Sequence, residues 1–121
     1  TILRRLVIMP RVDANINLVA ELILIIQENP NDLSFEDLDK PGLQFFANHP
    51  FCLNVLQKEL MIEGNEYSFV AGDSGKVKGI KKYFIDDSYV WVNFESGEII
   101  QFYFYQGDIV GCEEVLVKSL N

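Results

Sequence analysis

The segment that decides the fold runs from residue 86 to residue 117 and reads DDSYVWVNFESGEIIQFYFYQGDIVGCEEVLV. Turn signals recur about every ten residues, at Asp86-Asp87, Ser96-Gly97 and Gln106-Gly107. The runs between them are rich in β-branched and aromatic residues, which favour a pleated, half-buried surface. This spacing predicts antiparallel strands joined by tight turns, which is a β-meander.

The alternating pattern extends back to about residue 66, where the apolar period changes from helical spacing to two. A short strand is expected over 67–71, followed by a turn at 72–75. Longer strands are then expected at about 76–85, 88–95, 98–105 and 108–117. The sequence therefore predicts an antiparallel sheet of about five strands.

In the first half of the chain, the spacing of apolar residues predicts helices. Asp13 suits the N-cap of a helix that runs to about Glu28, because apolar residues recur between them at helical spacing. A strand is expected before that helix, over 2–8, and Pro10 would end it. A further helix is expected over 51–60, although the apolar run at 53–56 would also suit the start of a strand.

Two short helical segments are expected between these helices. Ser34-Phe35-Glu36-Asp37 fits a capping box, and Pro41 suits the first turn of a helix that reaches about residue 48. With 121 residues the chain is expected to be one domain. The predicted fold is α+β, with a helical part at about 13–62 packed on a meander at about 66–117.

The apolar residues of the meander predict two apolar sheet faces. If the turns contain two residues each, Tyr89 and Trp91 share a face with Phe102, while Val90 and Tyr103 share the other. The helices can cover only one of these faces. The N-terminal strand, a curled sheet or another chain could cover the second.

The composition narrows the classes of function. The net charge of −8 opposes binding to nucleic acid, is compatible with a basic protein partner, and also serves solubility alone. No apolar run is long enough to span a membrane, and the N-terminus lacks the features of a signal peptide. For Cys52 and Cys112, two buried thiols are favoured over a disulfide. These features together predict a cytoplasmic protein.

Candidate chemical groups are few. His49 is the single histidine and precedes Cys52 by three residues, but no supporting motif marks a catalytic pair, so a loop or capping role is favoured. Gly72 and Gly75 with the following lysines lack the full phosphate-loop pattern. No metal site, cofactor or enzymatic activity is expected. Lysines between 76 and 82 are interpreted as protection of an edge strand.

The run Tyr89-Val90-Trp91-Val92-Asn93-Phe94-Glu95-Ser96-Gly97-Glu98, together with the small size and acidic charge, gives the chain a family resemblance. It resembles the acidic immunity proteins of bacterial polymorphic toxins, including those of contact-dependent growth inhibition. The resemblance covers mainly 66–117. It implies a cytoplasmic protein that binds one cognate toxin and blocks its active site or its substrate.

This resemblance leads to a set of expected contacts with a basic toxin surface, made of acidic residues and aromatic anchors. They are Glu36, Asp37, Asp39, Trp91, Glu95, Glu98, Tyr103, Tyr105 and Asp108. Two alternatives stay open. The protein could be a structural or regulatory homo-oligomer, such as a homodimer through the second sheet face, or a small-ligand binder or enzyme with a pocket containing His49 and Cys52.

Overall fold

The computed structural model describes residues 10–29, 37–73 and 88–115, without the side chains of 10–13 and 73. Within these ranges, helix α1 spans Pro10–Glu28, a 3₁₀ helix spans Gln44–Ala47 and helix α2 spans Phe51–Leu60. Strands β1 to β4 span Tyr67–Asp73, Ser88–Phe94, Ile99–Tyr105 and Asp108–Glu114. The predicted α+β order, with helices before an antiparallel sheet, is confirmed.

The four strands form one antiparallel sheet in the order β1-β2-β3-β4. β1 pairs directly with β2, from Tyr67 opposite Phe94 to Asp73 opposite Ser88. The described sheet therefore has four strands rather than about five. In the predicted meander a strand at 76–85 would lie between the first strand and the strand at 88–95, whereas β1 and β2 are direct neighbours. That predicted strand lies outside the described residues, as do the one at 2–8, the capping-box residues 34–36 and the predicted end of the last strand.

Two helix boundaries differ from the predicted ones. α1 begins at Pro10 rather than after an N-cap at Asp13, so Pro10 starts this helix. Proline suits the first helical turn because its preset φ matches the helix and the first N–H groups have no intrahelical partner. The helix predicted from Pro41 contracts to the single 3₁₀ turn. α2 has its predicted bounds, which excludes the alternative strand at 53–56.

The helices and the sheet bury one common apolar core. The side of the sheet that contributes to this core is called the inner face. Its buried strand residues are Val90, Val92, Phe94, Ile100, Phe102, Phe104, Ile109 and Cys112. Phe46 of the 3₁₀ helix meets Phe102 edge to face, with ring centroids 6.2 Å apart. Each large side chain fully buried here contributes about 1.5–3 kcal/mol relative to exposure.

The loop between β2 and β3 contains three residues, Glu95-Ser96-Gly97. The Phe94 N–H donates to the Glu98 carbonyl at 2.9 Å, and the Gly97 N–H donates to the Phe94 carbonyl at 2.9 Å. Gly97 has a φ of +99°, a conformation that glycine adopts without steric cost. A two-residue turn at Ser96-Gly97 would have paired Glu95 with Glu98 instead.

This extra loop residue shifts the register by one and changes the faces. Trp91 lies opposite Gln101, and Val90 lies opposite Phe102. The prediction that Trp91 shares a face with Phe102 was therefore wrong, because a shift of one residue moves every side chain to the other side of the sheet. The face opposite the helices, called the outer face, carries polar groups among its aromatic residues.

The β3–β4 hairpin closes with two residues of positive φ, Gln106 at +51° and Gly107 at +86°. This conformation favours Asn-Gly in two-residue hairpins, and the left-handed region costs an ordinary residue roughly 1 kcal/mol. We expect Gln106→Asn to raise the free energy of unfolding by roughly 0.5 kcal/mol, measured by urea denaturation. Gln44→Asn is the matched control on the 3₁₀ helix, and equal effects of both substitutions would contradict this explanation.

Candidate functional site

A row of hydrogen-bonded side chains crosses the outer face. Trp91, Gln101 and Glu113 are successive cross-strand neighbours on β2, β3 and β4. The Trp91 indole N–H donates to Gln101 Oε1, and Gln101 Nε2 donates to Tyr103 Oη at 2.5 Å and to Glu113 Oε1 at 3.3 Å. The Tyr103 hydroxyl donates to Glu113 Oε1 as well. These four residues are called the polar row.

Burial makes the polar row rigid. Gln101 is 4% exposed and Tyr103 is 6% exposed, whereas Trp91 is half-buried and Glu113 is exposed. A buried amide left without partners would cost about 1–3 kcal/mol, and both polar atoms of the Gln101 amide are bonded here. The exposed carboxylate at the end of the row is therefore held in a defined position by buried groups.

A second row on the outer face places two tyrosines between two glycines. Tyr89 lies opposite Gly72 on one side and Tyr103 on the other, and Tyr103 lies opposite Gly111. A Cβ atom on Gly72 would come within 3.1 Å of Tyr89 Cε1 and Oη, so the ring lies over this glycine. The Tyr89 and Trp91 rings are 5.8 Å apart between centroids, tilted by 57°. Together they form a half-buried aromatic surface beside the polar row.

The charged side chains of strands β2 to β4 are all acidic. Residues 88–115 contain five carboxylates and no lysine, arginine or histidine. The whole chain carries a net charge of −8. This excess of carboxylates favours contact with cationic groups.

A second polar cluster fixes the three-residue loop. The buried Glu59 Oε1 accepts a hydrogen bond from Ser96 Oγ at 2.6 Å and another from Asn65 Nδ2 at 3.0 Å. The Ser96 N–H donates to Asn65 Oδ1 at 2.9 Å, and the Glu95 N–H donates to the Glu66 carbonyl at 2.9 Å. The end of α2 and the segment before β1 thus hold the loop in its three-residue form.

Two further carboxyl groups meet beside this cluster. Burial raises the pKa of Glu98, and a hydrogen bond with Glu114 and the negative charges of Glu114 and Glu59 raise it further, while Lys58 opposes the shift. Glu98, in a carboxyl pair with Glu114, therefore retains its proton to higher pH than an isolated carboxyl group would.

The structure brings some of the predicted contact residues together and separates others. Trp91 and Tyr103 belong to the polar row. Tyr105 is 47% exposed at the far end of β3, opposite the exposed Asp108. The remaining predicted residues lie elsewhere: Glu95 and Glu98 are at the β2–β3 loop, Asp37 and Asp39 precede the 3₁₀ helix, and Glu36 lies outside the described residues.

Sequence reasoning missed Tyr89, Gln101 and Glu113 as members of the site. They could have been found only from the strand register, because the three-residue loop is what places Gln101 between Trp91 and Glu113. It also missed Glu59, whose position in the amphipathic helix α2 gives no indication that its carboxylate is buried.

The catalytic pair of His49 and Cys52, which the sequence disfavours, is absent. The His49 ring is exposed and stacks on Phe45 with centroids 4.2 Å apart, and its Nδ1 lies 3.1 Å from the Phe45 carbonyl oxygen. Cys52 is buried in the core, in contact with Cys112. Burial, and then the contact with Cys52, raise the pKa of the Cys112 thiol. Both cysteines are free thiols.

Other surfaces offer less defined chemistry. A groove of about 510 Å³ lies at the end of α2, lined by residues such as Gln27, Met61 and Tyr67. Within residues 10–29, 37–73 and 88–115, no three His, Cys, Asp or Glu residues are arranged to hold a metal ion. No helix in these same ranges combines the length and the apolar character needed to cross a bilayer.

Comparisons with protein families, with curated proteins and with solved structures found no match to this chain. The outer face is therefore assessed from its own chemistry.

The polar row predicts different costs for two tyrosine substitutions. Tyr103→Phe removes a buried hydroxyl that accepts from Gln101 and donates to the Glu113 carboxylate, so we expect it to lower the free energy of unfolding by roughly 1.5 kcal/mol. Tyr105→Phe removes the same atom from an exposed ring and should change it by less than about 0.5 kcal/mol. Urea denaturation measures both, and equal costs would contradict the role of the polar row.

The carboxyl pair predicts a dependence of stability on pH. Because the pKa of Glu98 is raised on folding, the stability linked to its proton is fully present below the unfolded pKa and is lost as pH rises through the folded pKa. Glu98→Gln should therefore stabilise the protein increasingly from about pH 4 to about pH 7. The matched control, Glu95→Gln, neutralises an exposed carboxylate in the same loop and should have a smaller effect. A pH-independent effect of Glu98→Gln would be inconsistent with a raised pKa of Glu98 in the folded protein.

Proposed function

We propose that the protein is a non-catalytic binding module of the immunity type, which neutralises a basic toxin by covering its active or substrate-binding surface. The observation that carries the proposal is the outer face, where partly buried aromatic rings lie beside an exposed carboxylate held by buried hydrogen-bond donors. Tryptophan and tyrosine are among the residues that contribute most to binding energy at protein interfaces.

The rigidity of the polar row supports recognition of a specific partner. Ordering a flexible side chain on binding costs about 0.5–1.5 kcal/mol, and a preorganised group avoids much of that cost. Glu113 is already held by Gln101 and Tyr103 before any partner arrives. The face can therefore use charge for selectivity without a large entropic loss.

The charge distribution supports a basic partner more than a second copy of the chain. In a twofold dimer through the outer face, carboxylates such as Glu113 and Asp108 would approach equivalent groups of the other copy. Like charges brought together at an interface cost free energy, whereas a basic surface would be attracted and steered toward this face. A toxin that acts on a nucleic acid has such a surface, and the proposed location of the encounter is the cytoplasm.

The proposal is tested with the product of the adjacent upstream reading frame, the expected toxin. The two proteins should form a stable complex, and expression of this protein should protect cells from that product. Absence of both complex and protection would end the proposal.

Charge reversal locates the binding face. We expect Asp108→Lys, at an exposed position opposite Tyr105, to lower the association rate with the toxin by about threefold, and salt to weaken wild-type association strongly. The matched control is Glu28→Lys, which makes the same change in net charge at an exposed site on α1. Surface plasmon resonance separates the rates. An equal loss in both variants would show that net charge, and not this face, determines association.

A further inference from the structure

We infer that the polar row binds an arginine side chain of the partner, with the guanidinium group paired to Glu113 and lying against the partly buried rings of Trp91 and Tyr89. The inference rests on the proposed function and names the chemistry that the outer face recognises. It is argued from the acceptor geometry, the aromatic surface and the local charge.

The Glu113 carboxylate has acceptor capacity left for a ligand. The two hydrogen bonds that the structure gives it, from Tyr103 and Gln101, both end on Oε1. Oε2 has no partner within the described part of the chain, and the residue is exposed. A guanidinium N–H can donate to Oε2, and such charge-assisted hydrogen bonds are about twice as strong as neutral ones.

The aromatic rings favour a flat cation over a compact one. Trp91 donates to Gln101, the residue that also contacts Glu113, so the indole lies one strand spacing, about 5 Å, from the centre of the row. Tyr89 extends the aromatic surface on the same face. A guanidinium group stacks on such rings and is weakly hydrated, whereas the ammonium of lysine is a strongly hydrated point charge.

The local charge leaves this site without a cation from its own strands. All five ionisable side chains that are charged at neutral pH in 88–115 are carboxylates. Trp91 donates its indole N–H to Gln101, and Gln101 and Tyr103 both donate to Glu113. A cationic donor for the carboxylate must therefore come from outside residues 88–115, and an arginine of the partner can supply it.

The experiment uses the full chain and N-acetyl-arginine amide as the probe. Trp91 is the single tryptophan, so its fluorescence and its indole N–H resonance report on this site alone. We expect a saturable change at millimolar probe, a response at least about threefold weaker for the lysine analogue, and none for the citrulline analogue, which has the same shape without the charge.

Two variants separate the site from the general acidity of the protein. Glu113→Gln keeps an oxygen that can accept from Tyr103 but removes the charge, and it should weaken binding of the arginine probe at least about fivefold. Glu114→Gln is the matched control one residue along the strand and should bind as the wild type does. Tyr89→Leu removes a ring outside the hydrogen-bonded row and should weaken binding about threefold, so the test survives if Glu113→Gln fails to fold.

An equal response to arginine and citrulline probes, or equal binding by the Glu113 and Glu114 variants, would overturn the inference. Toxin binding and protection by the wild-type protein would be unaffected by that result. Loss of the proposed function would instead appear as absence of a complex with the toxin, so the two failures are distinguishable.

Discussion

The pairing of Phe94 with Glu98 across a three-residue loop determines which side chains share each face of the sheet. With a two-residue turn, Val92 instead of Trp91 would lie opposite Gln101. The residues of β2 that now fill the core would then share a face with Gln101 instead of with Phe102. The loop is held by contacts from the end of α2, where the buried Glu59 carboxylate and Asn65 bind Ser96. The helical part therefore specifies the register of the sheet as well as covering it.

A fixed register lets one strand serve two purposes. On β3, Phe102 and Phe104 fill the core while Gln101 and Tyr103, between and before them, organise the outer face. Gln101 can be buried at little cost because it is bonded to neighbours on both adjacent strands. The polar row thus links β2, β3 and β4 through side chains in addition to the backbone ladder.

The positions of helix α2 and of the later strands could be predicted from the sequence, but which side chains share each face of the sheet could not. Period and turn residues located α2 and the strands from 88 onward, because both signals are local. Ser96-Gly97 is consistent with either a two-residue turn or the end of a three-residue loop, since both use glycine with positive φ. The contacts that decide between them come from Glu59 and Asn65, about 30 residues away, and no local pattern encodes them. Trp91 and Tyr103 were selected as anchors by residue type, whereas Gln101 and Glu113 become visible only when the register is known.

The same carboxylates that would attract a partner cost the isolated protein stability. Burial and the negative charges of Glu114 and Glu59 raise the pKa of Glu98. A chain selected for stability alone would replace one of these groups by an amide that makes the same hydrogen bond without repulsion. Unrelieved repulsion at a surface is expected where a cationic partner removes it on binding, because the free energy released then adds to affinity. Glu114 lies opposite the core residue Ile100 and Glu113 lies opposite Gln101, so the acidic pair is on the helix side of the sheet and the polar row is on the outer face. Any partner that relieved the repulsion at Glu98 would therefore contact a surface other than the polar row.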